Sequence, residues 1–328
     1  MRFLVVGLGS MGKRRVRNLK ILGQSDIMGF DIRQDRIKEA SRLGIKTFST
    51  IKSALEEKPD IIIISTSPDT HLKYVQIATK MNIPFFTEVN TDPHHIEKII
   101  SLAKRTKTFA VSSMTMKFHP VSELIRKNLK KGKLGKPLLL NYHSGENLED
   151  WHPWENVQDY YVGNIKTGGG RDQAVFELEW ILWMFGKPNE VMAKTEKLSK
   201  TKAKIFDTYQ MTFSLSKIPT ANILVDVIQR PPNRILRIVF ENGLLEWSWV
   251  PGLLRIYNST TKKWEEHGHG YKGFNVEEMY QKEMFAFIKS VQQKKNLIHS
   301  FEEELVAARS VVAAEQSSKQ KKTILLKI

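Results

Sequence analysis

The chain reads as an α/β protein, with an N-terminal doubly wound parallel sheet followed by an α+β domain built on a mainly antiparallel, open-faced sheet. Three observations carry this reading. Over the first 120 residues, short apolar or β-branched runs alternate with segments of helical periodicity, the pattern of repeated βα units. Residues 61–64 are four consecutive isoleucines, as a central parallel strand buried on both faces requires. After about residue 119 the alternation stops, and strand-like stretches separated by turn signals take over.

Taken in order, a strand over residues 3–6 is followed by a helix over 12–22, a strand over 27–30, a helix over 34–43 and a strand over 46–48. A helix over 51–57, the isoleucine strand, a helix over 70–81, a strand over 84–87, a helix over 93–106 and a strand over 108–112 complete the first domain, residues 1–120. In the second domain, residues 121–328, a helix over 121–131 is closed by Gly132. Strands are expected over 138–143, 190–198, 209–215, 221–228, 234–241 and 243–249, with Glu241-Asn242-Gly243 as a hairpin turn. A helix over 172–185 interrupts them. Helices over 275–294 and 301–319 and a short strand over 323–328 end the chain.

The first strand runs directly into Gly7-x-Gly9-x-x-Gly12, the dinucleotide-binding fingerprint in the context that gives it meaning. Gly7 permits the tight strand-to-helix turn, Gly9 lets the backbone approach a pyrophosphate, and Gly12 lets the helix pack on the strand. Ser10 and Met11 lie in the same turn, where the amides of the helix N-terminus face the anion. Asp31 follows nineteen residues after the last glycine, at the end of the second strand. An acid there accepts hydrogen bonds from an adenosine ribose and repels a 2′-phosphate, which favours NAD(H). Arg33 and Arg36 leave NADP open, since either could turn toward a phosphate, or both could be solvated at a helix start.

The 328 residues suffice for two domains, and 41% hydrophobic content is that of a globular chain. No uncharged apolar run approaches the length of a membrane span, and the expected location is cytoplasmic. Absence of cysteine excludes disulfides, thiolate nucleophiles and thiolate metal sites. The net charge of +16 is spread: residues 1–120 hold 20 Lys+Arg and 11 Asp+Glu, the remainder 31 and 24. Without a focused basic stripe or interleaved aromatics, a solvated basic surface attractive to anionic small molecules fits better than a nucleic-acid groove. His143 and His152 lack a third ligand at metal spacing and His267-Gly268-His269 reads as an exposed turn, so no metal site is expected.

The segments GLGSMGKRRVRNL (7–19), DIIIISTSPDTH (60–71), FFTEVN (85–90), MKFHP (116–120), GKLGKP (132–137) and TGGGRDQAVFELEWILWMFG (167–186) together resemble the glucose-fructose oxidoreductase / inositol dehydrogenase (Gfo/Idh/MocA) family over essentially the whole chain. The resemblance implies a Rossmann domain, a second domain whose open-faced sheet serves in a homodimer or homotetramer, and hydride exchange between nicotinamide and a sugar or polyol carbon. It places Thr66, Pro68 and His71 along the cofactor and Glu88 near the nicotinamide ribose. It also implies two losses. Glu88-Val89-Asn90 stands where the family usually has Glu-Lys-Pro, and the usual Asp-x-x-x-His falls on Asp172 and Phe176. Neither valine nor phenylalanine can take a hydroxyl proton.

Candidate replacements for the lost acid/base are Lys117, His119, Arg171 and Glu177. Lys117 follows a strand C-terminus, where open α/β sheets gather ligands. His119 is either catalytic or a junction histidine against Pro120. Arg171 could grip a carboxylate or phosphate, and Glu177 could act as a base or pair with an arginine. The aromatic-rich stretches Tyr142-His143-Ser144-Gly145 and Asp150-Trp151-His152-Pro153-Trp154 offer flat faces and polar tips to a sugar, or form a packed loop. The resemblance implies a sugar, amino sugar or nucleotide-linked sugar as substrate, in surface-polysaccharide or sialic-acid-like sugar synthesis. A non-catalytic NAD(P)-binding sensor on the same fold is the alternative.

Overall fold

The computed structural model describes residues 1–268 and 275–326. The chain divides into two compact units, Met1–Phe118 with Val276–Leu305 and His119–Asn275 with Val306–Ile328. The first unit carries β1 (Phe3–Val6), α1 (Ser10–Ile21), β2 (Ile27–Phe30), α2 (Gln34–Ser41), β3 (Lys46–Phe48), α3 (Ile51–Glu56), β4 (Ile61–Ile64), α4 (His71–Lys80), β5 (Phe85–Thr87), α5 (Pro93–Thr106) and β6 (Ala110–Ser112). Its six strands are all parallel, in the order β3-β2-β1-β4-β5-β6. This is the doubly wound order whose direction reverses between β1 and β4, leaving a crevice at the strand C-termini. Every residue of β1 and β4 is buried, because helices cover both faces of a parallel sheet.

The second unit contains α6 (Pro120–Lys131), β7 (Pro137–Asn147), α7 (Gly170–Phe185), β8 (Pro188–Glu196), β9 (Thr208–Leu215), β10 (Ile218–Asp226), β11 (Ile228–Phe240), β12 (Gly243–Ser248), β13 (Leu253–Asn258) and β14 (Lys263–Gly268). The helices α8 (Glu277–Gln293) and α9 (Phe301–Gln320) and the strand β15 (Ile324–Leu325) follow. Among the described residues its sheet has nine strands, in the order β14-β13-β12-β11-β7-β10-β9-β8-β15. All pairs are antiparallel except β7 with β10. One face buries Leu140, Tyr142, Tyr209, Met211, Phe213, Ile223, Leu236, Ile238 and Trp247.

Two expectations need correction. The partition at residue 120 is not linear, because residues 276–305 fold with the first unit. Fully buried Arg15 on α1 explains why: it pairs with Glu88 after β5 and with buried Glu283 on α8, each at 2.7 Å. A buried guanidinium is tolerated only when its partners are well placed. Glu283 also accepts from Ser113 Oγ, the Met114 amide and Thr115 Oγ1. The second correction concerns residues 253–268, which form the hairpin β13–β14 with His267 paired opposite Leu254. Cross-strand Arg255–Glu266 and Tyr257–Trp264 pairs stabilise it. Polar residues at successive positions of Lys263–Gly268 hid the alternation that marks a strand. His269 lies outside the described residues.

Candidate functional site

In the first unit the fingerprint forms a tight cradle. Gly7 adopts φ +88°, and a Cβ there would lie 2.6 Å from the Ser65 carbonyl oxygen. A Cβ on Gly12 would lie 1.7 Å from the Gly7 carbonyl oxygen, so neither position admits a side chain. Gly9 differs. A Cβ there would meet nothing nearer than the Arg36 guanidinium at 3.5 Å, so Gly9 is glycine to leave room in front of the loop. Gly9 caps α1 and supplies no side-chain cap, and Ser10 and Met11 open the helix, so its first amides point outward for an anion.

Asp31 is buried at the end of β2 and accepts from the Leu8 amide (2.6 Å) and the Arg33 amide (2.9 Å). These bonds hold its carboxylate against the fingerprint loop, with lone pairs remaining for ribose hydroxyls. The Arg33 guanidinium pairs with Asp35 at 2.6 Å; Arg36 is the arginine beside Gly9. Along the β4–α4 connection, the Thr66 methyl packs against Gly7, Pro68 opens a short 3-10 turn, and His71 begins α4. The His71 ring spans Thr66 O and Asn90 Oδ1, both at 2.9 Å, and burial holds its pKa below the usual imidazole value. Glu88 accepts from Arg15 and, at 3.0 Å, from Ser65 Oγ. These residues fit a dinucleotide: the glycine cradle and helix amides would hold its pyrophosphate, and Asp31 its adenosine ribose. NAD bound there supplies a hydride acceptor.

Lys117 occupies a 3-10 turn (Thr115–Phe118) in this unit, and its ammonium donates to the main-chain carbonyls of Leu297 (3.1 Å) and Ile298. It ties the strand end to the 276–305 stretch.

The other three candidates belong to the second unit. His119 is the N-cap of α6, its Nδ1 accepting from the Val121 amide at 3.1 Å, and its ring packs 5.4 Å and 4.8 Å from Trp247 and Trp249. Arg171 donates to both carboxylate oxygens of Glu315 on α9, whose Oε1 also accepts from Tyr209 at 2.8 Å. Glu177 is completely buried and accepts from Tyr142 OH (2.6 Å), Ser144 Oγ (3.0 Å), Trp180 Nε1 (2.9 Å) and Arg234 Nε (2.8 Å). With its acceptor positions filled, Glu177 organises the sheet and is poorly suited to serve as a base. Burial and the neighbouring Glu177 carboxylate push the Tyr142 phenol well up, against the opposing Arg234 charge. Asp172 receives the Tyr161 hydroxyl at 3.3 Å. Trp154, His152 and Tyr160 form a continuous ring stack, with Trp154 75% exposed. His143 pairs with Asp226 at 2.7 Å. Among the described residues no group of three or more His, Asp or Glu could hold a metal ion, and no helix is long and apolar enough to cross a membrane.

Sequence reasoning missed Glu146, which lies on β7 two residues beyond Ser144 and faces the same side as Tyr142 and Ser144. Its signal was present: Tyr142, Ser144 and Glu146 alternate as polar groups on a face that is otherwise apolar. Gln173 of α7 donates to its carboxylate. Burial raises the Glu146 pKa, opposed by the Arg234 charge and reinforced by that of Glu177.

A parallel sheet with a phosphate cradle at its switch point, joined in one chain to a second sheet with a buried polar cluster, is the plan of a nicotinamide-dependent oxidoreductase. Residues 1–113 match the oxidoreductase family with an NAD-binding Rossmann fold, Gfo/Idh/MocA, and residues 123–246 match that family's C-terminal domain. The chain belongs to the Gfo/Idh/MocA family, and its first unit carries that family's NAD-binding Rossmann fold. Its fold is similar to that of levoglucosan dehydrogenase in complex with NADH and levoglucosan (TM-score 0.88, 13% identity, 100% of both chains covered). It is also similar to an oxidoreductase from Agrobacterium radiobacter in complex with NAD+, L-tartaric acid and magnesium (TM-score 0.87, 13% identity, 99% of this chain and 98% of that one). A probable dehydrogenase from Thermotoga maritima aligns at TM-score 0.80 and 19% identity over 99% of both. No curated protein sequence matches the chain.

Proposed function

We propose that the protein transfers hydride between NAD(H) and a CH–OH carbon of a sugar, amino sugar or nucleotide-linked sugar. The intact cradle of Gly7, Gly9 and Gly12 with Asp31 in place carries this reading. The second unit's polar cluster and ring stack, and the spread of positive charge over the chain, suit a hydroxyl-rich, anionic substrate. Levoglucosan in a complex of the same fold points to the same substrate class. Incubation with NAD(H) or NADP(H) and a panel of UDP-, GDP- and CMP-linked sugars and free amino sugars, followed at the nicotinamide absorbance in both directions, is expected to give turnover with at least one. The Asp31 carboxylate predicts a preference for NAD(H) over NADP(H).

One observation favours a second reading. Lys117, His119, Arg171 and Glu177 are engaged in main-chain hydrogen bonds, a helix cap and ion pairs, and the family resemblance implies that Val89 and Phe176 stand where proton-handling residues are usual. A sensor that keeps NAD without turning over substrate would show tight dinucleotide binding with complete silence across the panel. In either case we assign the chain to a homodimer or homotetramer formed through the outer sheet face. That face is more polar than the strand sequences imply. Thr212, Asn222 and Asn141 form a hydrogen-bonded row across β9, β10 and β7, continued by Arg237–Glu246 and Arg255–Glu266 pairs. Light scattering after size exclusion should give twice or four times the 37.9 kDa chain mass; a monomer overturns the assignment.

A further inference from the structure

Glu146 sits in a notch of the second sheet. On one side, β10 ends its pairing with β7 at Asp226 opposite Gly145. On the other, the register of β11 jumps from Ile228 opposite Asn147 to Asn233 opposite Gly145, so residues 229–232 bulge out and no residue of β11 is paired with Glu146. Bulges of this kind recur where a sheet must open or re-aim a side chain. Across the notch stands Gln173, in the first turns of α7, whose Nε2 is committed to the Glu146 carboxylate while its Oε1 is buried without a hydrogen-bond partner. A buried amide oxygen without a donor costs free energy that a ligand's hydroxyl would recover. Glu146 itself is only half-buried, which leaves the notch open to solvent.

We propose that Glu146 and Gln173 form a recess that recognises a hydroxyl group of the substrate, the hydroxyl donating to the Glu146 carboxylate or to Gln173 Oε1. This rests on the sugar-oxidoreductase reading above and names the place in the second unit where that substrate is held. The charged and polar groups around Glu146 divide the labour. On β7, Tyr142 and Ser144 are turned to Glu177 of α7. Arg234 of β11 is likewise bonded to Glu177. Trp151, beyond β7, lies near the Glu146 carboxyl, and its Nε1 is buried without a hydrogen-bond partner. Thus Glu177 absorbs the strong donors of the cluster, and Glu146 keeps acceptor capacity for a ligand. Because Glu146 is displaced upward by burial and by the nearby Glu177 charge, ligand affinity should depend on pH above the ordinary carboxylate range.

The test uses the full chain loaded with NAD+, with levoglucosan, myo-inositol, N-acetylglucosamine and UDP-N-acetylglucosamine as probes in saturation-transfer NMR. Wild type should hold at least one of them, with affinity rising as Glu146 ionises. Glu146→Gln should weaken that probe about tenfold, a loss of about 1.4 kcal/mol, and abolish the pH dependence while leaving NADH affinity unchanged. Gln173→Met keeps the side-chain length and removes the amide, and should weaken the same probe with little change in melting temperature. If both variants bind the probe as wild type does, the recess is overturned and the sugar reading stands. If wild type holds none of the probes, the sugar reading falls and the recess with it.

Discussion

Asn90 stands where a proline would have withheld a hydrogen-bond donor, and the structure uses that donor. Its amide N–H reaches Glu304 Oε1 at 2.8 Å, its side-chain amide donates to both oxygens of the same carboxylate at 3.1 Å, and its Oδ1 meets the His71 ring. The Glu88-Val89-Asn90 turn is therefore held by a buried carboxyl contributed by α9. Its function could not be read from residues 85–90, because the partner lies 214 positions away. Burial pushes Glu304 up to about 7. With the folded value above the unfolded one, near 4.5, the folded state holds a proton that the unfolded chain has released. This contribution to stability is whole below the unfolded value and is lost as pH rises through about 7. The loss amounts to about 3 kcal/mol. His71, lowered by burial, acts oppositely, losing stability as pH falls through the ordinary imidazole range. A Glu304→Gln variant separates the two. Urea unfolding at pH 5 and pH 8 should show the variant gaining on wild type at the higher pH by up to about 3 kcal/mol, and a pH-independent difference would contradict the assignment.

Among the elements, α1 and α7 show how much was legible and where legibility stopped. The turn into α1 followed from glycine spacing alone, since a turn this tight tolerates no Cβ, although the helix opens at Ser10, two residues before the expected position 12. Gly12→Ala would place its methyl 1.7 Å from the Gly7 carbonyl oxygen. It should cut NADH affinity by at least about a hundredfold, or about 2.7 kcal/mol, measured by nicotinamide fluorescence. The end of α7 at Phe185 was also legible, although the helix starts at Gly170, not at the expected 172. Its side-chain roles were not. Arg171 read as a free chemical group and Glu177 as either a base or the partner of an unspecified arginine, because nothing in the local sequence points to Glu315 or Arg234. The structural role of Arg171 makes its own prediction: Arg171→Ala should lower stability by about 2 kcal/mol through loss of the α7–α9 tie. Dinucleotide affinity should stay unchanged; a large loss of NADH binding with normal stability would restore Arg171 to the cofactor site.

At the scale of the whole molecule, the two sheets were foreseeable because periodicity is a local property: isoleucines 61–64 announce a buried parallel strand and Glu241-Asn242-Gly243 a hairpin. The return of residues 276–305 to the first unit was not, since it is made through partners far apart in sequence, among them Arg15 with Glu283, Asn90 with Glu304 and Phe86 with Phe287. A fragment of residues 1–120 lacks Glu283 and Glu304 and keeps Arg15. Such fragments should fail to give a cooperative thermal transition, whereas the full chain should melt with one. A buried charge stripped of one partner costs about 3–5 kcal/mol, a large share of the stability of an ordinary domain. The same return has a consequence in time. During synthesis the dinucleotide-binding half emerges first, yet its closing segment begins only at Val276, after the whole stretch that follows Phe118. At ordinary elongation rates that interval lasts on the order of ten to thirty seconds. Through it Arg15 waits on the ribosome with Glu88 alone, and the nascent chain depends on not being committed to a fold before its last sixth arrives.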